Sequence, residues 1–390
     1  MNATPPDPGR PADLKPLTTL RFAAALWVVL YDYWPNLAGE DHPLPGVLAK
    51  GYLGVELFFV LSGFILAHVY LESAGRGRFG YGGFLWNRLA RVYPLHLATL
   101  LAVAGMGIGA LLMGVTLQHS VLDWASLPAN VLLVHAWGLA PAAAFNHPSW
   151  SISAEWFAYL AFPLFAAAAW WLRARPAVAG VAALALLVTT YGIFERVTGQ
   201  PLTHATLFWG ALRVVPCFAW GCAVFLMWRS GAVKTKAEAL LGTALAVLAI
   251  LMLGSAGAPD AATVAVFGGL ILGLAGLSST GSRVLAHPVG VYLGEVSFAV
   301  YMVCIPWRLA VLGVAGKVLH LGSGPLPWPW WLAMTAGLLP AAMLAHHLVE
   351  RPARSAMRQL ASKRAAKQHT ATKQRVTRRD KGLFTPAIEG

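Results

Sequence analysis

Two arginines, Arg88 and Arg91, lie three residues apart just before a long apolar stretch. At that spacing they share one face of a helix, with about 5–6 Å between their Cβ atoms. Arginine stays charged and presents a planar fork of donors that suits phosphate or carboxylate groups. The pair therefore indicates either an anion-binding site at the mouth of a membrane span or two side chains that extend to the lipid–water interface.

Other ionisable side chains lie inside apolar stretches, where each is costly and is a candidate functional residue by default. They are Arg21, Asp32, Glu56, Glu155, Arg213, Glu295 and Arg308. Both signs of charge are present, so some of these groups are expected to pair. Glu56, Arg213 and Glu295 are equally well interpreted as structural partners. Arg21 and Asp32 are separated by roughly 16 Å along a helix, at about 1.5 Å per residue.

Composition places these residues in a membrane protein. Of 390 residues, 57% are hydrophobic and only 12% are charged, whereas a soluble domain carries about 25% charged residues. The three cysteines have no CxxC spacing, so neither a disulfide framework nor a zinc site is indicated, and we expect no metal and no permanently bound cofactor. Residues 1–16 are polar and rich in proline. The first apolar stretch is therefore interpreted as an uncleaved span.

Ten apolar stretches have nearly the length that one bilayer crossing requires. They cover about residues 17–37, 51–71, 92–114, 150–172, 177–195, 206–228, 238–256, 261–279, 289–312 and 328–349. The sequence thus predicts an all-α polytopic membrane protein with about ten transmembrane helices.

Basic residues between the stretches predict the orientation. The connections after even-numbered stretches hold Arg76, Arg78, Arg173, Arg175, Arg229, Lys234, Lys236 and Arg283, and those after odd-numbered stretches hold Lys50, Arg196 and Lys317. Because Lys and Arg are enriched in cytoplasmic loops, both termini are predicted to be cytoplasmic. The long connection 115–148 contains Pro128, Pro141 and Pro148. A short re-entrant or interfacial helix that lines a cavity fits it better than another span.

The net charge of +13 is concentrated after the last apolar stretch, where residues 351–381 hold eleven Lys or Arg and one Asp. Attraction to anionic lipid headgroups at the cytoplasmic surface explains this placement better than nucleic-acid binding. We therefore expect three parts: a cytoplasmic segment 1–16, a membrane domain 17–350, and a basic, largely disordered cytoplasmic tail 351–390.

Six motifs in order resemble those of the acyltransferase 3 family, multi-span O-acyltransferases that modify bacterial surface sugars. The motifs are Leu17-Thr-Thr-Leu-Arg21-Phe-Ala-Ala-Ala, Gly51-Tyr-Leu-Gly-Val-Glu-Leu-Phe-Phe-Val-Leu-Ser-Gly-Phe64, Arg88-Leu-Ala-Arg91-Val-Tyr-Pro94, Asn146-His-Pro-Ser-Trp-Ser-Ile-Ser-Ala-Glu155-Trp-Phe-Ala-Tyr159, Gly294-Glu-Val-Ser-Phe-Ala-Val-Tyr301 and Glu350-Arg-Pro352. The resemblance covers about residues 17–352, and the chain is similar to the stand-alone form without an appended esterase-like domain.

The resemblance implies a bacterial inner-membrane enzyme with acyl-CoA, most readily acetyl-CoA, as its cytoplasmic co-substrate. It implies that Arg88 and Arg91 hold the donor's phosphates, that Arg21 supports the same region, and that Glu155 belongs to the active site. The acceptor would be a hydroxyl of a cell-envelope polysaccharide, a lipid-linked sugar or a glycosylated metabolite. Further site candidates within the matching motifs are Asn146, His147, Ser151 and Tyr301.

Two positions depart from the family pattern. Where relatives carry a histidine in the first helix, expected to be the base, this chain has Asp32. Where the ninth-helix motif commonly ends with histidine, it has Cys304. A buried carboxylate can replace an imidazole as base, and Cys304 is a nucleophile only if its thiol is activated, otherwise a small apolar filler. The imidazoles that could substitute are His96, His135 and His147, of which His147 lies within a motif.

Two classes of function remain after these departures. The first is an acyltransferase in which Asp32 is the base and Glu155 orients or assists. The second is a family member that has lost its base and serves as a transporter, a lipid-binding protein or an accessory subunit. The intact arginine pair and Glu155 favour the enzyme. A narrower variant of the first class is an enzyme with a different donor, such as succinyl-CoA.

Overall fold

A computed structural model describes residues 14–39, 42–114, 121–280, 286–318 and 324–363, and all the regular elements in these ranges are helical. The α-helices are α1 Lys15–Tyr33, α2 Pro35–Ala38, α3 Gly54–Gly75, α4 Tyr81–Leu112, α5 Leu127–Val131, α6 Trp150–Leu160, α7 Phe162–Trp171, α8 Pro176–Thr198, α9 Gly210–Arg229, α10 Lys236–Ser255, α11 Asp260–Thr280, α12 Pro288–Val318 and α13 Trp328–Ala345. Short 3-10 turns cover Gly46–Leu53, Trp124–Ser126, His135–Trp137, His147–Ser149 and Leu202–His204.

Each of the ten predicted stretches coincides with a helix or, for the fourth, with a pair of helices. Within the described residues, eight helices are long and apolar enough to cross a membrane, and a ninth span results if α6 and α7 count as one. α1 is not among them, because its 19 residues include Lys15, Arg21 and Asp32. A polytopic helical membrane protein is therefore established, while ten spans with cytoplasmic termini stay a prediction.

Two helices differ in shape from the predicted stretches. α4 begins at Tyr81, so Arg88 and Arg91 lie in its second and third turns rather than at its mouth. α6 and α7 meet at a bend of 56°, because Pro163 follows at the start of α7 and cannot donate the backbone hydrogen bond that would continue α6. Glu155 lies on the short first half of this broken element.

Small residues bring the central helices into close contact. A Cβ atom added to Gly63 on α3 would overlap the Phe218 carbonyl of α9, and one added to Gly221 on α9 would overlap the Val60 carbonyl of α3. Gly294 on α12 allows the same approach to the Thr18 carbonyl on α1. Such contacts are typical of helix packing in membranes. They fix α1, α3, α9 and α12 as the frame around the site.

The described part of the third connection, residues 121–148, contains short turns and the five-residue helix α5 rather than a further span. Its contacts include α4 and α6: the Asn130 carbonyl lies 2.9 Å from His96 Nε2, and Trp137 Nε1 donates to the Ser153 carbonyl over 2.9 Å. These residues line neither of the two cavities described below. The predicted cavity-lining role is therefore not seen for them.

The end of α13 carries a π-helical turn, His346–Glu350, and the helix then continues to Lys363. The first thirteen residues of the predicted tail, 351–363, thus extend the last helix. The remainder of that tail lies outside the described residues. The same holds for Ser120 in the third connection, which the distribution of basic residues predicts to face the outside.

Candidate active site

A cavity of about 290 Å³, called the inner cavity, lies between α1, α3, α4, α6 and α12. Its polar lining residues are Thr18, Arg21, Ser62, His68, Arg88, Arg91, Ser151, Glu155, Tyr159 and Tyr301. Four of the residues singled out in the sequence for charge, Arg21, Arg88, Arg91 and Glu155, therefore surround one space. Its walls are otherwise apolar, with Phe58, Phe59 and Phe298 among them.

Glu155 is held in place by its neighbours. The Ser62 hydroxyl on α3 donates a hydrogen bond to Glu155 Oε1. Tyr159, one turn further along α6, and Arg21 on α1 both interact with the same carboxylate electrostatically. Ser62 and Tyr159 were not singled out in the sequence, although both lie inside quoted motifs. The carboxylate is thus a fixed charge that orients Arg21 and the cavity wall.

Arg21 and Arg88 carry open donors. The Nε atoms of both side chains are buried and have no hydrogen-bond partner among the described residues. The Arg88 guanidinium lies 5.9 Å from the centre of the Tyr70 ring. A buried donor without a partner is costly. Two such donors at one cavity indicate that an anion completes the site.

Arg91 is already paired. Its Nη1 lies 2.9 Å from Glu350 Oε1, while Glu350 Oε2 lies 2.8 Å from His346 Nδ1. The Arg91 guanidinium also lies 5.4 Å from the centre of the Phe298 ring. The π-helical turn supplies both Glu350 and His346. Arg91 is therefore positioned by the last helix, although 259 residues separate it from Glu350.

A wider space of about 910 Å³, called the outer cleft, adjoins the inner cavity and shares Thr18, Arg21, Arg88 and Arg91 with it. Its further lining residues are Tyr292, Glu295, His346, His347, Arg351, Arg354, Ser355, Arg358, Gln359 and Ser362. Glu295, one of the three expected structural partners, thus lies in this cleft. Among the described residues, six arginines and one carboxylate, that of Glu295, line this cleft.

Three of these arginines, Arg351, Arg354 and Arg358, were assigned from the sequence to a lipid-binding tail. The spacing of Arg351, Arg354 and Arg358 by three and four residues places them on one helix face, and this was the signal available in the sequence. Arg354 interacts electrostatically with Arg88, Arg91 and Arg358. The tail's first basic residues therefore belong to the wall of the cleft.

Asp32 is not one of the described residues that line the inner cavity or the outer cleft. Arg308 Nη1 donates to the Asp32 backbone carbonyl over 2.8 Å, and Asp32 interacts electrostatically with Tyr301. Tyr301 in turn lines the inner cavity. Tyr301 therefore connects the surroundings of Asp32 with the inner cavity.

The motif that begins at Asn146 packs against Tyr301. The Tyr301 hydroxyl and the Ser151 hydroxyl each donate to the Pro148 carbonyl over 3.0 Å. Asn146 Nδ2 donates to Thr99 Oγ1 and to the Met302 carbonyl, over 3.0 and 2.9 Å. Ser151 and Tyr301 line the inner cavity, whereas Asn146 fastens the loop to α4 and α12.

The three candidate histidines occupy different environments. His147 is exposed and, like Asp32, interacts electrostatically with Arg308. His96 and His135 are buried and stacked, with 6.1 Å between ring centres. Burial, reinforced by His96, lowers the pKa of His135 to about 3. Such an imidazole is a poor base near neutral pH.

Cys304 is buried and lines neither cavity. Its Sγ lies 3.0 Å from the Tyr301 carbonyl, and its own carbonyl accepts from the Tyr33 hydroxyl over 2.6 Å. The side chain thus fills space between α1 and α12. Within the described ranges, no three His, Cys, Asp or Glu side chains are grouped so that they could hold a metal ion.

The remaining buried charges pair with each other. Arg213 Nε donates to Glu56 Oε1, Arg213 Nη1 donates to the Ala205 carbonyl over 3.0 Å, and the guanidinium lies 4.4 Å from the centre of the Trp150 ring. Glu56 and Arg213 are 0% and 2% exposed. Two of the three expected structural partners are therefore partners of one another.

Comparison with known proteins gives a family match. The model of the acyltransferase domain family Acyl_transf_3 matches residues 16–347. Acyltransferase MdmB of Streptomyces mycarofaciens is 30% identical, over 88% of this chain and 92% of its own length. Nodulation protein 10 of Rhizobium leguminosarum bv. viciae is 26% identical, over 88% and 94% of the two chains.

A third relative is larger. YrhL of Bacillus subtilis (strain 168), whose name marks it as a candidate peptidoglycan O-acetyltransferase, is 23% identical over 87% of this chain and 54% of its own length. No solved structure shows a significant match.

Proposed function

Since the chain belongs to the Acyl_transf_3 family of acyltransferases, we propose that it is a membrane-bound O-acyltransferase that uses acyl-CoA. The acyl group, in the simplest case acetyl, passes to a hydroxyl of a cell-envelope polysaccharide, a lipid-linked sugar or a glycosylated metabolite. The name of the relative YrhL supports a cell-envelope glycan. The enzyme would act in the bacterial inner membrane, with its donor supplied from the cytoplasm.

The observation that carries this proposal is the junction of the two spaces at Arg21, Arg88 and Arg91. The buried Nε donors of Arg21 and Arg88 have no partner among the described residues, and a phosphate group would supply one. The inner cavity beyond them is narrow and largely apolar, which suits a pantetheine arm and a short acyl chain. Together they fit a donor with an anionic end and a neutral reactive end.

We propose that Asp32 is the base. Glu155 lies in the inner cavity, but Ser62 donates to it, and Tyr159 and Arg21 interact with it, so that it is suited to orienting the thioester. Asp32 lines neither cavity but interacts electrostatically with Tyr301, which lines the inner cavity. The acceptor would then approach the donor from the Asp32 end of this contact, if the donor enters through the outer cleft. The two carboxylates would then divide positioning from proton transfer.

The proposed step is attack of the acceptor hydroxyl on the thioester of the donor. Asp32 accepts the proton of the acceptor hydroxyl while the hydroxyl oxygen attacks the thioester carbonyl carbon. The carbon–sulfur bond breaks, an ester forms, and coenzyme A leaves as a thiolate that then takes up a proton.

One observation favours the second class of function. Asp32 does not line the inner cavity, so the acyl donor and the proposed base meet only if the acceptor or a side chain such as Tyr301 closes the space between them. A protein without a functional base would bind acyl-CoA and transfer nothing. It would then serve as an accessory subunit, a transporter or a lipid-binding protein.

Release of free thiol from acetyl-CoA by the purified protein tests the proposal. The protein in lipid nanodiscs is mixed with acetyl-CoA and a panel of cell-envelope glycans, and mass spectrometry detects the acylated glycan. We expect acceptor-dependent thiol release, and Arg88→Ala should lower it roughly tenfold to a hundredfold when acetyl-CoA is below saturation. Acetyl-CoA binding without transfer to any acceptor in the panel would favour the accessory function instead. Succinyl-CoA in a parallel reaction tests the alternative donor.

A further inference from the structure

The outer cleft has a second layer of arginines that the donor's pyrophosphate does not require. Arg88 and Arg91 stand at the junction with the inner cavity, whereas Arg351, Arg354 and Arg358 line only the outer cleft. All three project from the helical extension that follows the π-helical turn. Positive charge therefore continues outward beyond the junction.

We infer that Arg354 and Arg358, with Arg351 beside them, form a subsite for the 3′-phosphate of coenzyme A. This inference rests on the proposed function. In the donor, the thioester, the pyrophosphate and the ribose 3′-phosphate follow one another along the molecule. In the protein, Glu155, the pair Arg88 and Arg91, and then Arg354 and Arg358 follow one another in the same order. The order of charges in the cavity thus matches the order of groups in the ligand.

Charge around the subsite supports this assignment. Arg354 interacts electrostatically with Arg88, Arg91 and Arg358, and like charges at that range repel one another. Grouping them is unfavourable unless an anion lies between them. The carboxylate of Glu350 is already bonded to Arg91 and His346. It also attracts Arg354, but together with Glu295 it sets only two carboxylates of the described residues against the six arginines of the cleft.

An aromatic wall favours a nucleotide over a lipid headgroup. Tyr292 and His347 both line the outer cleft, and their rings are stacked with 6.0 Å between centres and 20° between planes. The Tyr292 hydroxyl lies 3.0 Å from His347 Nε2, which holds the two rings together. A flat aromatic surface beside phosphate-binding arginines suits an adenine base. A glycerophosphate headgroup has no ring to place there.

The test compares acetyl-CoA with acetyl-dephospho-CoA, which lacks only the 3′-phosphate. A charge-assisted hydrogen bond contributes about 1.5–3 kcal/mol, and 1.4 kcal/mol is a factor of ten. We expect the parent protein to prefer acetyl-CoA by roughly tenfold to a hundredfold in kcat/KM, mainly through KM. The double variant R354A/R358A should lose that preference while it uses acetyl-dephospho-CoA as the parent does. Arg175→Ala, an exposed arginine outside the cleft, is the matched control.

Direct calorimetry of coenzyme A and dephospho-coenzyme A separates the subsite from the transfer activity. A binding preference that R354A/R358A removes supports the subsite even where no acceptor is acylated. Transfer without any preference for the 3′-phosphate overturns the subsite and leaves the proposed function standing. The same titrations in nanodiscs with and without phosphatidylglycerol identify the other source of phosphate. If the two substitutions change only the response to that lipid, the cleft binds headgroups and the inference is wrong.

Discussion

Buried arginines at two places in this protein differ in their hydrogen bonding. Arg213 is satisfied: it bonds to Glu56 and to the Ala205 carbonyl and packs over Trp150. Arg21 and Arg88 keep buried Nε atoms without partners in the described structure. Both regions lie between packed helices of one bundle, so burial alone does not separate them. The two regions differ in whether the buried guanidinium nitrogens have hydrogen-bond partners.

This difference helps to distinguish structural from ligand-binding charges inside a membrane domain. A satisfied pair such as Glu56 and Arg213 stabilises the arrangement of α3 and α9, because removing either partner leaves a buried charge alone. Buried donors without a protein partner are places where a bound anion would gain hydrogen bonds. Arg91 lies between the two cases, since Glu350 bonds to it while both cavities remain open to it.

The largest expected effect is on the satisfied pair. Arg213→Met should reduce folded protein strongly, because Glu56 would remain as an uncompensated buried charge, at a cost of about 3–5 kcal/mol. Thermal unfolding in detergent, followed by size-exclusion chromatography, measures the loss. The matched control is Arg88→Met, which should keep the parent's unfolding midpoint. Adding Glu56→Leu to Arg213→Met should restore much of the stability. An unchanged midpoint in Arg213→Met would remove the distinction between the two kinds of arginine.

The next effect concerns the proposed base. Asp32→Asn should lower acyl transfer by about 10²–10⁴-fold, because an amide cannot accept the hydroxyl proton. Donor binding should stay the same, since Asp32 lines neither cavity. Thiol release and calorimetry measure the two quantities on one preparation.

A second substitution at position 32 tests the assignment of the base further. If Asp32 stands where relatives carry a histidine base, Asp32→His should recover part of the transfer, because an imidazole can accept the hydroxyl proton. Parent-level turnover in Asp32→Asn would move the base elsewhere, and His147, which shares the Arg308 environment, is then the residue to change. A gain of transfer in Asp32→His over an inactive parent would support the accessory function.

A smaller effect separates the open arginine from the paired one. Arg88→Ala should weaken acetyl-CoA binding by roughly tenfold to a hundredfold, the value of one charge-assisted contact, with the unfolding midpoint unchanged. Arg91→Ala should weaken binding and also lower the midpoint, because Glu350 loses its arginine partner. Parallel calorimetry and thermal unfolding give both readings. Equal behaviour of the two variants would show that the bond to Glu350 makes no difference.

The last prediction concerns cysteine labelling, which should leave acyl transfer unchanged. If the open arginines face the cytoplasm, cysteines at Gly77 and Gly231 should react with an impermeant maleimide only from inside, and one at Pro201 only from outside. The positions follow from the distribution of Lys and Arg in the connections. Labelling of inverted vesicles and intact cells compares the two faces. A reversal between the groups would invert the proposed direction of donor entry.

Much of the fold follows from the sequence, because membrane spans are specified by length and apolar composition. Each predicted stretch contains a helix, and the family is confirmed by the match over residues 16–347. The convergence of Arg21, Arg88, Arg91 and Glu155 on one cavity agrees with the motifs that contain them. Their catalytic and binding roles remain proposals.

What the sequence does not specify is partner choice between distant helices. Glu56, Arg213 and Glu295 look alike as isolated charges, and only packing shows that Glu56 meets Arg213 while Glu295 faces the cleft. The bond between Arg91 and Glu350 joins residues 259 positions apart. The outer arginines were assigned to the tail because few apolar residues surround them, although their spacing also fits one helix face. Tertiary contacts decided each of these cases.

The π-helical turn His346–Glu350 sets the rotational phase of everything that follows it. A π turn contains one residue more than an α turn, and each residue rotates an α-helix by about 100°. Deleting Leu348, an exposed residue within the turn, would let the helix continue without the bulge. The faces before and after it would then be turned relative to each other by about a quarter of a circle. Arg354 and Arg358 follow the turn and line the cleft, so we expect this deletion to rotate their side chains away from it.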